Sequence, residues 1–594
     1  MNRRHFLEIA TGAALSGTVC AAQPEVQNGQ AFTREFTQPR TGVGPFERTR
    51  SGKTPHIFMI SADMVSPDLY HPSRALSKQV RTPALHSLMK DGTFFANACC
   101  TVPLCAPSRA SYLTGRYSYI QGNGERAPEG LETQLRPDDI IYPEYLRAAG
   151  YVARQVGKGH VGTKKFIDAF TENDNPWDRW SPPVFDDDEY LAYQHSLGVK
   201  PQKYSREIVF RMQDRTTPGN SAGGWIVQED GKPFPFEAHY TYYLAKRAID
   251  TVRDLVQTGV AAKHPIYMQL DIFDPHQPFS IPAGYEERER ELRQIMTLPA
   301  SYEAARRRDF RRGEDEAEIL NIYREYWGIY DPEMLLSYRV AYALQMELVD
   351  RAVGMVLDEI RRLGLYEGSV VAFISDHGEM NGRRAMVDKG VFLYPDVLRV
   401  PFVVKPAAAR QARVVDEPVS LLDLSQTLLD VAGIRPEAKF DGISLLPSLS
   451  GKPLPEREPL LFFGGWHVGV NFACGIGHRT PDGRYFLYAY NLSSPNDELY
   501  DMNSEDAVNL VNHPTYKDVR NSLIRALGDA LHPDTRWLCS SLMMSRMFGF
   551  FWPFAARNRY GYAEVNPASA PFLTNSRRPM CSSRTGMIYD SLLS

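Results

Sequence analysis

Three short apolar runs, far apart in the chain, each lead straight into acidic or imidazole side chains. His56-Ile57-Phe58-Met59-Ile60-Ser61-Ala62 runs into Asp63, Pro265–Phe273 runs into Asp274-Pro275-His276, and Ser369–Ser375 runs into Asp376-His377. The runs are too short for buried helices, and they lack the in–out alternation of a half-exposed strand. They read as strands buried on both faces, as in a parallel sheet covered by helices. Open α/β sheets collect ligands beyond the carboxyl ends of their strands. The expected fold is therefore α/β with a mostly parallel central sheet between helices. Asp63, Asp376 and His377 are expected to converge at one edge, where hard oxygens and one imidazole suit a divalent cation.

A second stretch, Pro103-Leu104-Cys105-Ala106-Pro107-Ser108-Arg109-Ala110-Ser111-Tyr112-Leu113-Thr114-Gly115-Arg116, puts a cysteine at the start of a helix. Pro107 suits a first helical turn. Cys105 is expected just ahead of the helix N-terminus, where the dipole favours an anion. Arg109, one turn on, can aim its guanidinium at the same spot. A buried structural cysteine is the plainer reading of Cys105. Upstream, Thr82 and Pro83 read as the N-cap and first position of a helix. The run Gly150–His160 reads as a strand leading into a glycine-bounded turn, with Lys158 and His160 on the same side of it. Leu335–Gly364 shows helical spacing and a glycine stop.

Cys105-x-Pro-Ser-Arg followed by Leu-Thr-Gly-Arg resembles the signature of the formylglycine-dependent sulfatases. Other segments follow in family order. Gly150–His160 resembles a second signature, with Ala153 and Gly159 departing from it. Pro275-His276-Gln277-Pro278 resembles the segment that supplies an active-site histidine. Ser375-Asp376-His377-Gly378-Glu379, with Lys389-Gly390, resembles the metal-binding segment. The resemblance implies an alkaline-phosphatase-like fold with a small C-terminal antiparallel subdomain. It also implies that Cys105 is oxidised by a formylglycine-generating enzyme to 3-oxoalanine, whose hydrate is the nucleophile. Its metal ligands would be Asp63, Cys105, Asp376 and His377. Arg109 would hold the hydrate, and Lys158 and Lys389 would grip sulfate oxygens. His276 would protonate the leaving alcohol, and His160 would help release sulfate. The implied metal is Ca2+, with Mn2+ and Mg2+ as alternatives. The family usually carries a second acid where this chain has Met64, a poor ligand for a hard ion. The implied substrate is a sulfated small molecule or glycan. Alternatives are a phosphate or phosphonate ester hydrolase of the same superfamily and a non-catalytic binder of sulfated glycans.

The chain has 594 residues, enough for more than one domain. Its net charge of -4 argues against nucleic acid as a partner. Seven cysteines without regular spacing do not form a disulfide framework. Arg3-Arg4, a short apolar stretch and Cys20-Ala21-Ala22 fit a twin-arginine (Tat) export signal over 1–22. This implies the Tat machinery as a partner and a periplasmic or secreted location. Cys20 raises lipidation, against which Val19 argues. No segment reaches membrane-spanning length. Residues 23–53 read as a linker or arm and 54–435 as the catalytic domain, with variable insertions over 165–340. Residues 436–535 read as the subdomain and 536–594 as an extension of unknown role. Trp177 and Trp180 could stack on sugar rings or cap the core. Arg306–Arg312 could be a solvated helix face or a lure for a polyanion.

Overall fold

A computed structural model describes residues 43–49, 54–117, 139–161, 180–407, 411–465, 473–491 and 496–530. It also describes short pieces at 135, 164–170, 172–177, 467–468 and 471. The export signal, Cys20, the 536–594 extension and the side chain of Trp177 lie outside the described residues.

The core is an eight-stranded sheet. In chain order its strands are β1 (His56–Ala62), β2 (Thr93–Phe95), β3 (Val152–Lys158), β4 (Glu172–Trp177), β5 (Ile266–Ile272), β6 (Ser369–Ser375), β7 (Phe402–Lys405) and β8 (Arg413–Val415). Their order across the sheet is β8-β2-β7-β6-β1-β5-β3-β4. β7 runs antiparallel to both neighbours, and every other pairing is parallel. Every residue of β1, β3, β5 and β6 is buried. Successive side chains point to opposite faces, so both faces are covered. α1 (Pro83–Asp91), α3 (Tyr240–Gln257) and α4 (Pro332–Arg362) pack as one helical group. α2 (Cys105–Thr114), Tyr142–Ala148 and α5 (Asp423–Val431) form another.

α1 begins at Pro83 as expected, but Thr82 makes no side-chain capping bond. The cap comes from α4 instead. The Asp350 carboxylate accepts the N–H groups of Ala84 (2.9 Å) and Leu85 (2.8 Å). The acid that interrupts the apolar periodicity of α4 is thus the anion that satisfies the N-terminus of α1. α4 ends at Arg362, and Gly364 turns the chain with φ +72°.

Within 165–340 lie core elements as well as excursions. β5 and α3 are there, beside a long hairpin of Gln202–Arg211 with Pro218–Gln228. Arg306, Arg308 and Arg312 are tied to Glu303, Glu316 and Glu318, the arrangement of a solvated, ion-paired face. Phe46–Arg48 pairs with Ile434–Pro436. Beyond residue 436 the chain stays on the main body, where Asp441 N–H donates to the Gly115 carbonyl (3.0 Å). A four-stranded antiparallel sheet follows, of β9 (Leu460–Phe463), β10 (Ala473–Arg479), β11 (Tyr485–Asn491) and β12 (Glu498–Asp501). Among the described residues no helix is long and apolar enough to cross a membrane.

Candidate active site

The register of the central strands assembles the site. Ser375 of β6 lies opposite Ala62 of β1, so Asp376 and Asp63 leave adjacent strands at the same level. Ile272 of β5 lies on the other side of Ala62, and Gly157 of β3 lies opposite Asp271. Four carboxyl ends therefore deliver Asp376-His377, Asp63, the Phe273–His276 turn and Lys158 to one edge. Gly157 makes the fit possible. Its φ is +101°, and a Cβ there would lie 2.0 Å from the Asp271 carbonyl oxygen.

α2 supplies the remaining side chains. Its first helical residue is Cys105 itself, and Leu104 occupies the cap position without a side-chain bond. The cysteine thus sits inside the first turn rather than ahead of it. Asp63, Cys105, Asp376 and His377 are all buried, and their candidate ligand atoms lie within 4.8 Å of one another. The Cys105 Sγ is 3.1 Å from His377 Nε2 and 3.7 Å from Asp63 Oδ1. His377 Nδ1 is 3.0 Å from the Gly378 carbonyl. That bond fixes the proton on Nδ1 and turns the Nε2 lone pair toward Cys105 and Asp63.

Arg109 is the hub beneath this cluster. It bonds Asp376 Oδ2 through Nε (2.9 Å) and the Lys158 carbonyl (2.9 Å), and it lies 3.5 Å from Asp63 and 3.7 Å from Asp271. Lys158 Nζ donates to Asp63 Oδ2 at 2.5 Å. Burial pushes the Asp63 carboxyl up, but the charges of Lys158 and Arg109 hold it well below the usual carboxylate range. Met64 takes the left-handed conformation (φ 61°), and its N–H donates to Asp376 Oδ1 at 3.1 Å. At the position of the missing second acid, the chain therefore offers Asp376 a backbone donor. Ser108 Oγ anchors the Asp376 carbonyl at 2.5 Å.

On the opposite rim, Lys389 Nζ lies 2.5 Å from His276 Nε2, and His276 Nδ1 lies 2.5 Å from the Gln277 carbonyl. Burial, then the Lys389 charge, hold His276 neutral, well below the ordinary histidine range. Lys389 is carried by a turn in which Arg384, Ala385 and Asp388 are all left-handed. Glu379 pins that turn by accepting the Asp388 N–H (2.6 Å) and the Tyr338 hydroxyl (3.1 Å), and burial pushes its carboxyl up to about 8. His160 has φ +50°, and its Nδ1 is buried without a hydrogen-bond partner among the described residues. Burial and the charges of Lys158 and Arg109 hold it well below the ordinary histidine range.

All nine side chains singled out from the sequence (Asp63, Cys105, Arg109, Lys158, His160, His276, Asp376, His377 and Lys389) thus lie in or against one buried charged cluster. Asp271 was missed. It accepts from Ser61 (2.6 Å), Gln155 (3.1 Å) and Gln269 (2.8 Å) beneath Arg109, and burial pushes its carboxyl up. As an acid near a strand's carboxyl end, it could have been found by the rule that finds Asp63.

Among these groups, the carboxylates Asp63, Asp271 and Asp376 face the cations Arg109 and Lys158. With the His377 lone pair aimed into the cluster, this donor set fits a divalent cation. The model for the sulfatase family matches residues 55–434. The chain belongs to the sulfatase family, sulfuric ester hydrolases of the alkaline phosphatase superfamily. Residues 382–532 also match the C-terminal region of N-sulphoglucosamine sulphohydrolase. The chain is 24% identical to an arylsulfatase of Clostridium perfringens, over 80% of this chain and 94% of that one. It is 25% identical to a choline-sulfatase of Rhizobium meliloti, over 77% and 83%. In fold it is similar to a phosphonate monoester hydrolase of Silicibacter pomeroyi (TM-score 0.60, 20% identity, 79% and 93% covered). It is also similar to a 2-O GAG sulfatase (TM-score 0.56, 19% identity, 81% and 93% covered).

Proposed function

We propose that this sulfatase-family chain hydrolyses a sulfate ester with a formylglycine made from Cys105 and one divalent cation, Ca2+ foremost. The observation that carries this reading is the placement of Cys105 in the first turn of α2, within one cluster with Asp63, Asp376 and His377. Lys158 and the Lys389–His276 pair flank the cluster.

Asp63, Asp376, His377 and the side chain at 105 would hold the cation, which lowers the cost of negative charge on an attacking oxygen. The aldehyde, as its hydrate, supplies one hydroxyl to attack sulfur and a second through which sulfate is released. Arg109 keeps Asp376 and the Lys158 main chain in place and offsets the cluster's negative charge. Lys158, besides neutralising Asp63, is placed to stabilise sulfate oxygens as their charge grows. On the far rim the ammonium of Lys389 is the proton-bearing member of its pair. It passes a proton toward the leaving oxygen directly or through His276. His160 lies in the field of Lys158 and Arg109, where a neutral imidazole can accept the proton given up as sulfate leaves.

The Tat signal over 1–22, export to the periplasm or beyond, and a sulfated small molecule or glycan as substrate belong to the same proposal. A second reading, a phosphate or phosphonate ester hydrolase, is favoured by one observation: position 64, where the family usually carries a second acid, is Met and offers no hard ligand. Steady-state rates on matched 4-nitrophenyl sulfate, phosphate and phenylphosphonate esters, with and without chelator, decide between them. The proposal requires that the sulfate ester have the highest kcat/KM and that Cys105→Ala abolish its hydrolysis. A higher kcat/KM on the phosphonate would select the second reading.

A further inference from the structure

A cavity of about 440 Å3 opens beside the leaving-group rim, lined by residues of 180–186, Gln202, Tyr204, 239–241 and 273–280. It adjoins the site directly. The Phe273 ring stacks on His276 (4.9 Å, 27°) and lies 5.2 Å from Lys158 Nζ, while the Trp180 ring is 6.3 Å from His276. An alcohol leaving from sulfur beside the Lys389–His276 pair has this cavity next to it.

Two features of the lining set what it accepts. Its aromatic walls are Trp180, Phe185, Tyr204, Tyr240 and Phe273. Trp180 and Phe185 keep 54% and 66% of their surface exposed, so they are available to a ligand. Several of its polar groups are already committed to one another. His239 Nε2 lies 2.9 Å from the Ser280 carbonyl, the Thr241 N–H donates to His239 Nδ1 (3.2 Å), and the Thr241 hydroxyl bonds Asp274. The Tyr240 hydroxyl donates to Asp187 (3.0 Å). Those groups are turned to one another rather than to a ligand, whereas an apolar ring would find π-faces on the aromatic walls. Among the described residues the lining also contains two acids, Asp186 and Asp274, and neither lysine nor arginine. A substituent carrying a second sulfate would meet like charge there.

Resting on the sulfatase reading, we infer that this cavity is the alcohol subsite and that it selects monosulfated esters of flat, apolar alcohols that carry no second anionic group. It discriminates against multiply sulfated sugars. The discrimination comes from Asp186 at the rim and Asp274 at the floor, and the affinity comes from Trp180 and its aromatic neighbours.

The test compares kcat/KM for 4-nitrophenyl sulfate and glucosamine-2-N,6-O-disulfate on the full chain matured in a host that converts Cys105. The aryl ester is expected to lead the disulfate by about tenfold or more. Trp180→Ala is expected to raise KM for the aryl ester about tenfold with kcat little changed. Asp186→Lys is expected to raise kcat/KM for the disulfated sugar several-fold relative to that for the aryl ester. A disulfated sugar as the better substrate overturns the inference, and so does an Asp186→Lys variant with unchanged preference. If no sulfate ester is turned over, the sulfatase reading fails on its own, and binding then judges the cavity. Tryptophan fluorescence titrated with 4-nitrophenol and with the disulfated sugar should show the phenol binding wild type and losing affinity in Trp180→Ala. The reverse order of affinity overturns the inference.

Discussion

Replacing Lys389 by methionine tests which member of the Lys389–His276 pair delivers the proton. The two nitrogens are 2.5 Å apart, and the other ring nitrogen is engaged by the Gln277 carbonyl at 2.5 Å. An imidazolium would face the ammonium at that distance, a repulsion of about 7 kcal/mol at an effective dielectric constant of about 20. Burial adds to it, so the ring stays neutral and the ammonium carries the proton. Methionine keeps the length of the side chain and removes the charge. Losing a general acid costs about 10²–10⁴-fold in rate, and an alkyl sulfate, whose alcohol leaves poorly, should lose that much in kcat/KM. 4-Nitrophenyl sulfate needs little proton assistance and should lose about tenfold or less. The pH profile should also change. With the neighbouring charge gone, His276 protonates more readily, so the variant should recover alkyl sulfatase activity as pH falls, which wild type does not do. Steady-state assays on both esters from pH 5 to 9 read both effects. Equal losses on the two esters with an unchanged profile would refute the reasoning and leave Lys389 as a clamp on sulfate oxygens.

Three further outcomes follow from the structure. Asp350 is raised from 3.8 to about 6 by burial, ahead of the lowering by its two N–H bonds. Its folded form therefore holds a proton that the unfolded chain has lost between about pH 4 and 6, and stability from this group declines as pH rises through that window, by about 3 kcal/mol. In urea titrations at pH 4.5 and 7.5, Asp350→Asn should gain on wild type by about 2–3 kcal/mol between the two pH values. A constant difference would contradict this. Chelation should lower the melting temperature, and Ca2+ at about 100 times its Kd should return about 2.7 kcal/mol. Calorimetry insensitive to chelator and to added Ca2+ would count against the cation site. Gly157→Ala sets a Cβ against the Asp271 carbonyl at φ +101°, and should cost about 3 kcal/mol or more by urea denaturation.

The sheet and most of the site were legible because each depends on local pattern. Apolar runs ending in Asp63 and Asp376-His377 need only the rule that parallel strands collect ligands at their carboxyl ends. The Cys105 stretch carries its own helix start and glycine stop. What was not legible depends on register between distant elements. Nothing in the spacing shows that Asp350 of α4 would replace Thr82 as the cap of α1. Nothing local shows that Arg109 would be spent on Asp376, Asp271 and the Lys158 carbonyl. The pairing of Lys389 with His276 joins residues 113 apart in sequence, and it changes which of them carries the proton. The aromatic cavity draws on four separate segments, so no single motif announces it.

The central claim is that Cys105 becomes the nucleophile. Mass spectrometry of the alkylated tryptic peptide Asp91–Arg109, from protein made in a host with the maturation enzyme, tests it most directly. Cys99 and Cys100 in the same peptide, both buried free thiols, serve as internal controls. The prediction is that Cys99 and Cys100 alkylate while Cys105 has lost its sulfur and reads as an aldehyde. Alkylation of all three would contradict it, and would make binding of sulfated ligands the leading account of this site.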